Sequence, residues 1–216
     1  MVPLVFKRKT ETEMRAAALA FHQRMSNRRT VRQFSDEPVP RDIIEACIKT
    51  AASMPSGANL QPWHFVAVQD PVVKSQIRKH SEIEERAFYE SRAPDEWKKV
   101  LKQFGTDAIK PYLERAPWLI AVFAVNSFDK EDGSKQQAYY PKESVGIATG
   151  VLIAALHQAG LVTLTHTPSP MNFLNKLLNR PAAEKPFLLL IAGYPDANAE
   201  VPQLSKKSFN EIATIL

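Results

Sequence analysis

Residues 144–159 read Ser-Val-Gly-Ile-Ala-Thr-Gly-Val-Leu-Ile-Ala-Ala-Leu-His-Gln-Ala, a run that is apolar nearly all round. A helix of that composition has no solvated face, so it belongs in a core or at a large interface. Gly146, Ala148, Gly150 and Ala154 keep its surface small enough for close helix approach. Gly160 stops it as a C-cap, and Leu161–Thr165 reads as the strand that follows. Working outward, Trp63–Val68, Trp118–Val125 and Phe187–Ala192 read as three more strands. Between them lie helical stretches. Residues 11–26 carry Met14, Ala17, Ala18, Phe21 and Met25 at helical spacing, with Thr10 or Thr12 as N-cap. Ile43, Ile44, Cys47, Ile48 and Ala51 form a second stripe, and Asp70-Pro71 starts a third helix. Two polar helical pieces are expected around 94–104 and 106–115, and a short one near 171–179. Strands separated by helices imply an α+β fold, an α/β sandwich in which helices cover a sheet. The tail 208–216 ends in apolar Ile212, Ile215 and Leu216 and reads as packed, on a partner subunit.

The chain has 216 residues, 44% hydrophobic and 24% charged. That composition is ordinary for a globular domain and excludes disorder and collagen. At about 150 residues per domain, 1–216 is expected to be one domain. The net charge of +5 is modest, and its sources are interleaved: Lys7-Arg8-Lys9 is followed by Glu11 and Glu13. A solvated surface, with no nucleic-acid partner, is the expectation. The longest apolar run, Ala116 to Val125, is about half the roughly 20 residues a membrane helix needs. No apolar stretch follows the N-terminal basic residues, so no membrane association and a cytoplasmic location are expected. The lone Cys47 excludes a disulfide framework and reads as a buried, inert thiol. The five histidines show no metal spacing, so no metal is expected. GxGxxG, GxxxxGK[ST], HExxH and GxSxG patterns are absent.

Three stretches could carry chemistry. Arg28-Arg29-Thr30-Val31-Arg32 sets three guanidiniums and a hydroxyl within five residues. They could grip a phosphate or carboxylate bidentately, or merely complement a helix dipole. Pro55-Ser56-Gly57-Ala58-Asn59-Leu60-Gln61-Pro62-Trp63 links a helix to a strand. Its Ser-Gly-Ala permits close backbone approach to a flat polar ligand, or is simply a proline-punctuated connection. Thr163-Leu164-Thr165-His166-Thr167-Pro168 leaves a strand end with polar side chains.

In this order and spacing the three stretches resemble the FMN-dependent nitroreductase superfamily and, within it, the iodotyrosine deiodinases. Further segments carry the resemblance: AIKPYLERAP (108–117), AGLVTLTHTP (159–168) and LLNRPAAEKPFLLLIAGYP (177–195). It covers nearly the whole chain beyond about residue 15. The resemblance implies a nitroreductase-like fold, a central mainly antiparallel sheet flanked by helices, with the C-terminal extension exchanged in a homodimer. It implies FMN, held by Arg28, Arg29, Thr30 and Arg32 at the phosphate and ribityl end. Pro55, Ser56 and Gly57 would line the isoalloxazine, Thr165, His166 and Thr167 would run along it, and Thr167 would donate to N5 as the catalytic group. Where the family has a C-terminal arginine for the phosphate, this chain has Lys206-Lys207, of which Lys207 matches best. Glu85 and Tyr89, four residues apart on one helix face, with Lys110 on a later helix, match a lid that grips an amino-acid zwitterion. Ala58 would offer its N–H to the phenolate. The implied reaction is reductive dehalogenation of 3-iodotyrosine and other halotyrosines by single-electron steps, with NAD(P)H or a reductase as external donor. A broad nitro- or quinone-reductase is the alternative.

Overall fold

The computed structural model describes residues 1–216, apart from the side chain of Lys102. The elements are α1 (Glu11–Ser26), α2 (Arg41–Ala52), β1 (Trp63–Val68), α3 (Pro71–Ala87), α4 (Asp95–Lys102), α5 (Tyr112–Arg115), β2 (Trp118–Val125), β3 (Ser127–Asp129), β4 (Lys135–Gln137), α6 (Pro141–Gln158), β5 (Val162–His166), α7 (Phe173–Leu177), β6 (Glu184–Gly193) and α8 (Phe209–Ile212). A helical turn, Gly57–Asn59, precedes β1, and a π-helical turn, Phe88–Arg92, prolongs α3.

Four strands form one sheet in the order β1-β2-β6-β5, with every neighbouring pair antiparallel. The central pair reads as continuous apolar sequence because helices cover both faces. Alternation along β2 and β6 sends Ile120, Val122, Leu188 and Leu190 to one face, against Ile44 and Cys47 of α2 and Val145, Leu152 and Leu156 of α6. It sends Leu119, Ala121, Leu189 and Ile191 to the other, against Ile77 of α3, Leu113 of α5 and Leu174 of α7. The β2–β6 register shifts between Val122 and Phe123, opposite Pro186, which has no N–H to give the ladder.

The structure departs from the sequence reading at three places. Residues 106–111 are not helical, and α5 is a single turn. Gly105, at φ +60°, ends the α4 region, and Pro111 disfavours helical backbone at Lys110. Helix α6 begins at Pro141, three residues earlier than its apolar run, with Pro at its first position. Helix α1 has the Thr10–Glu13 capping box but buries no residue, so its apolar stripe is not on this chain's core. Met14, Leu19 and Phe21 are exposed, as is Ile147 on the outer face of α6. No helix among the described residues is long and apolar enough to cross a membrane.

Gly193 closes β6 against Pro117: a Cβ there would sit 2.5 Å from the proline Cδ and 2.8 Å from its Cγ. A pyrrolidine ring cannot swing aside as a flexible chain end does. Gly193→Ala is therefore expected to destabilise the fold by about 1–3 kcal/mol, read as a lower midpoint in urea at unchanged slope. An unchanged midpoint would mean that the contact relaxes freely.

Candidate active site

Asp70 caps α3 by accepting from the Val73 N–H at 2.9 Å, with Pro71 at the first helical position. The helix thus begins firmly, and its far end carries the functional face. Glu85 and Tyr89 lie one turn apart there, opposite Lys110 in the 106–111 loop. Lys110 is only 2% exposed. Its three ammonium hydrogens have three acceptors: Glu85 Oε2 at 3.0 Å, Thr106 Oγ1 at 3.1 Å and the Asp107 carbonyl. The Tyr89 hydroxyl donates to the Thr106 carbonyl at 3.2 Å, and its ring centroid lies 5.8 Å from Lys110 Nζ. Burial raises the Tyr89 pKa, so the phenol stays neutral. The structure therefore brings together Glu85, Tyr89 and Lys110, which are separated by 25 residues of chain.

This cluster forms one wall of a cavity of about 310 Å³. Phe88, Trp97 and Leu101 supply an apolar wall, and Thr165, His166 and Thr167 the opposite one, where β5 ends. Strand alternation separates these last three. Thr165 and Thr167 are exposed, whereas His166 is buried against Tyr112, with Nδ1 3.5 Å from the phenol oxygen. His166 Nε2 is buried without a partner. Burial, reinforced by the charge of Lys110, pushes the His166 pKa down to about 3, so the ring is neutral. Arg92 ties this region together: it donates to Glu84 Oε2 at 2.9 Å and to the Ser169 carbonyl at 2.6 Å.

A second cavity, of about 340 Å³, shares Arg32, Leu164 and Thr165 with the first. Arg28, Arg29, Thr30 and Lys206 line it, and no carboxylate does. None of these four cations, Arg32 included with the arginines, forms a salt bridge among the described residues. The segment is held beside β5, where the Val31 N–H donates to the Thr163 carbonyl at 3.2 Å and Thr30 bridges Thr163. Arg29 reaches the Pro202 carbonyl and so tethers the C-terminal tail. The lysine at the wall is Lys206; Lys207 is exposed and lines neither cavity. The sequence match had favoured Lys207, and only the path of the tail decides which of two adjacent lysines faces the arginines.

Pro55, Ser56, Gly57 and Ala58 line neither cavity. They precede β1, at the sheet edge opposite β5 and three strand spacings away, roughly 14 Å. Their backbone is unusual: Ala58, Asn59 and Gln61 all have φ between +50° and +55°. The Ser56 hydroxyl accepts from the Gln61 N–H at 2.9 Å, which helps hold that conformation. Gly57 lies so close to Tyr139 that a Cβ would be 2.8 Å from its carbonyl oxygen. Thr106, Phe88 and Trp97 were not singled out from sequence, because nothing local marks a loop threonine or an exposed aromatic as part of a wall.

Two adjoining cavities, one cationic and one carrying a buried ion pair, thus sit at the edge of an antiparallel sheet sandwiched by helices. Residues 25–194 match the signature of the nitroreductase family, and the chain belongs to that family. Curated proteins similar to it include iodotyrosine deiodinases. It is 52% identical to the iodotyrosine deiodinase of Haliscomenobacter hydrossis over 195 residues, 90% of this chain and 88% of that one. It is 44% identical to that of Nematostella vectensis, over 95% of this chain and 78% of that one. Its fold is similar to the crystal structure of oxidized iodotyrosine deiodinase bound to FMN and 3-iodo-L-tyrosine, with a TM-score of 0.79 and 32% identity, covering 90% of this chain and 100% of that one.

The buried imidazole makes stability depend on pH. Unfolded, His166 titrates near 6.5; folded, near 3. Between those values the unfolded chain binds the extra proton, so this contribution is whole above about pH 6.5 and is lost as pH falls toward 3. The slope is at most about 1.4 kcal/mol per pH unit. Melting temperatures between pH 6.5 and 5 should fall with pH, and His166→Gln should flatten that fall. Parallel profiles for the two proteins would contradict the burial of a neutral ring.

Proposed function

We propose that this protein is an FMN-dependent oxidoreductase that removes halide reductively from 3-iodotyrosine and other halotyrosines. The observation that carries the reading is the Glu85–Lys110 pair, buried in the wall of a cavity continuous with a carboxylate-free cationic one. A free amino acid presents one ammonium and one carboxylate a few ångströms apart. Its carboxylate would take the place of Glu85 on Lys110, and the released Glu85 would receive its ammonium. One internal ion pair is thereby exchanged for two with the ligand, and neither buried charge is left alone. Tyr89, Phe88 and Trp97 suit the aromatic ring.

The second cavity fits the cofactor. Arg28, Arg29, Thr30, Arg32 and Lys206 offer guanidinium forks, a hydroxyl and an ammonium around a space with no acidic wall, which suits a dianionic phosphate. Thr165 and Thr167, exposed where β5 ends, would lie along the ring system, and the Thr167 hydroxyl would donate to N5. When bound there and reduced by NAD(P)H or a reductase, FMN would supply the two electrons, in single steps, with which the ring carbon exchanges its halide for a proton. The chain's own residues bind the zwitterion, hold the phosphate and orient the ring.

The sheet topology supports a homodimer. Pro55, Ser56, Gly57 and Ala58, whose N–H would meet the substrate phenolate, lie on the far edge from Thr167 within one chain, so a second copy would bring them to the ring. The uncovered apolar residues of α1, Ile147 of α6 and the exposed tail residues Phe209, Ile212, Ile215 and Leu216 agree with a large shared interface. Residues 213–216 are extended and exposed, as an exchanged C-terminal arm would be when seen on a single chain.

Glu85→Gln and Lys110→Ala should each weaken 3-iodotyrosine binding by about tenfold or more while FMN content stays at wild-type level. Full retention of affinity by both would remove the zwitterion clamp. Reduced wild-type protein should release iodide and tyrosine in equal amounts. Ile147→Glu, which puts a charge on the outer face of α6, should give monomers that have lost FMN together with dimerisation. Monomers that keep one FMN each would overturn the shared site.

A further inference from the structure

Glu82 is a third carboxylate on α3, one turn before Glu85, and it touches neither cavity. It is only 8% exposed. Its Oε1 accepts from the backbone N–H of Lys110 at 2.8 Å and from Arg78 Nε at 2.7 Å, while Oε2 pairs with Arg86 at 3.3 Å. Arg78 is fixed in turn by Glu114 of α5 at 2.6 Å. Burial works against the charge of Glu82, but the Lys110 N–H and the two arginines outweigh it and hold the carboxyl below its ordinary value.

The consequence lies in the loop. Lys110 sits in a non-helical stretch between Gly105 and Pro111, and its carbonyl accepts from the Leu113 N–H of α5 at 3.1 Å. The Glu82 bond is what holds its N–H, beside the bond that the Tyr89 hydroxyl gives the Thr106 carbonyl earlier in the loop, and it comes from the same helix that carries Glu85. From this arrangement we propose that Glu82 is a positioning residue for the amino-acid end of the substrate, setting the height of Lys110 against Glu85. It touches no ligand and acts through the Lys110 backbone. The inference rests on the zwitterion clamp described above and adds to it the group that holds the clamp in register.

A positioning role differs from a merely structural one in what it moves. Glu82→Ala leaves the Lys110 N–H without its acceptor and should weaken 3-iodotyrosine binding to the oxidised FMN-loaded protein on the order of tenfold. It should raise KM by a similar factor with kcat at saturation kept, because ground and transition states share the zwitterion contacts equally. FMN content should not change. Glu82→Gln keeps an amide oxygen that can accept from Lys110 and should restore affinity to within about threefold of wild type. Glu82→Asp keeps the charge but draws the carboxylate back by one methylene, and should behave as Glu82→Ala does, which also serves if the alanine variant does not fold. The role is refuted if Glu82→Asp binds 3-iodotyrosine like wild type, if glutamine fails to rescue, or if kcat and FMN content fall together with affinity. The Glu85→Gln and Lys110→Ala variants keep the two claims apart. If they lose affinity and the Glu82 variants do not, the positioning role fails and the clamp stands; if they too keep it, the clamp itself falls.

Discussion

An ammonium taken out of water must have its hydrogens accepted, and the site is organised around that requirement at Lys110. Its three acceptors come from two segments: Glu85 on α3, and Thr106 and Asp107 in its own loop. Lys110 is buried and Glu85 half-buried, so removing Glu85 would leave the ammonium short of an acceptor and cost more than the loss of an exposed pair. The pair therefore locks the loop to the helix. In the proposed site the same two charges would form the recognition surface, since only a ligand that answers both can separate them without leaving one unpaired. Selectivity for a zwitterion would follow from that energetic condition, whatever aromatic ring the ligand carries.

The second constraint is topological. Antiparallel order β1-β2-β6-β5 puts the 55–58 loop and the end of β5 on opposite edges of one sheet. The chain leaves uncovered apolar residues on α1, on the outer face of α6 and along the tail. Such residues agree with the homodimer proposed above. In that dimer the positive-φ backbone of Ala58, Asn59 and Gln61 would present its free groups to the second copy.

The parts of this structure governed by a local period were legible in the sequence. The apolar runs of β2 and β6 and the stripe of α2 were identified because burial on two faces or one leaves a pattern of fixed spacing. Glu85 and Tyr89 could be placed on one helix face for the same reason. The polar composition of 106–115 suggests a helix, whereas the loop at 106–111 follows from Gly105 at φ +60° and from the restriction that Pro111 places on Lys110. Helix α1 was read correctly as a helix, but its stripe was assigned no particular partner, and amphipathicity cannot say which chain covers it. The approach of Lys110 to Glu85, the choice of Lys206 over Lys207 at the cationic wall and the anchoring by Glu82 depend on how separate segments meet in space. No spacing rule reaches them; for the clamp itself, only likeness to a known family pointed the way.

The cationic cavity shows a different solution to a common problem. Phosphates are often held by glycine-rich loops at helix N-termini, where backbone N–H groups and the helix dipole supply the attraction. This chain has only seven glycines, and its arginines sit in an extended segment bridged to β5. At the proposed phosphate site guanidinium forks would replace backbone dipoles, with Arg29 also gripping the tail at Pro202 and Arg32 facing both cavities. Among the described residues Arg32 is the one cation common to the two cavities. Between the proposed phosphate end and the proposed substrate end, a planar, permanently charged group would offer a fixed boundary that a lysine, with its compact charge on a flexible stem, would hold less well.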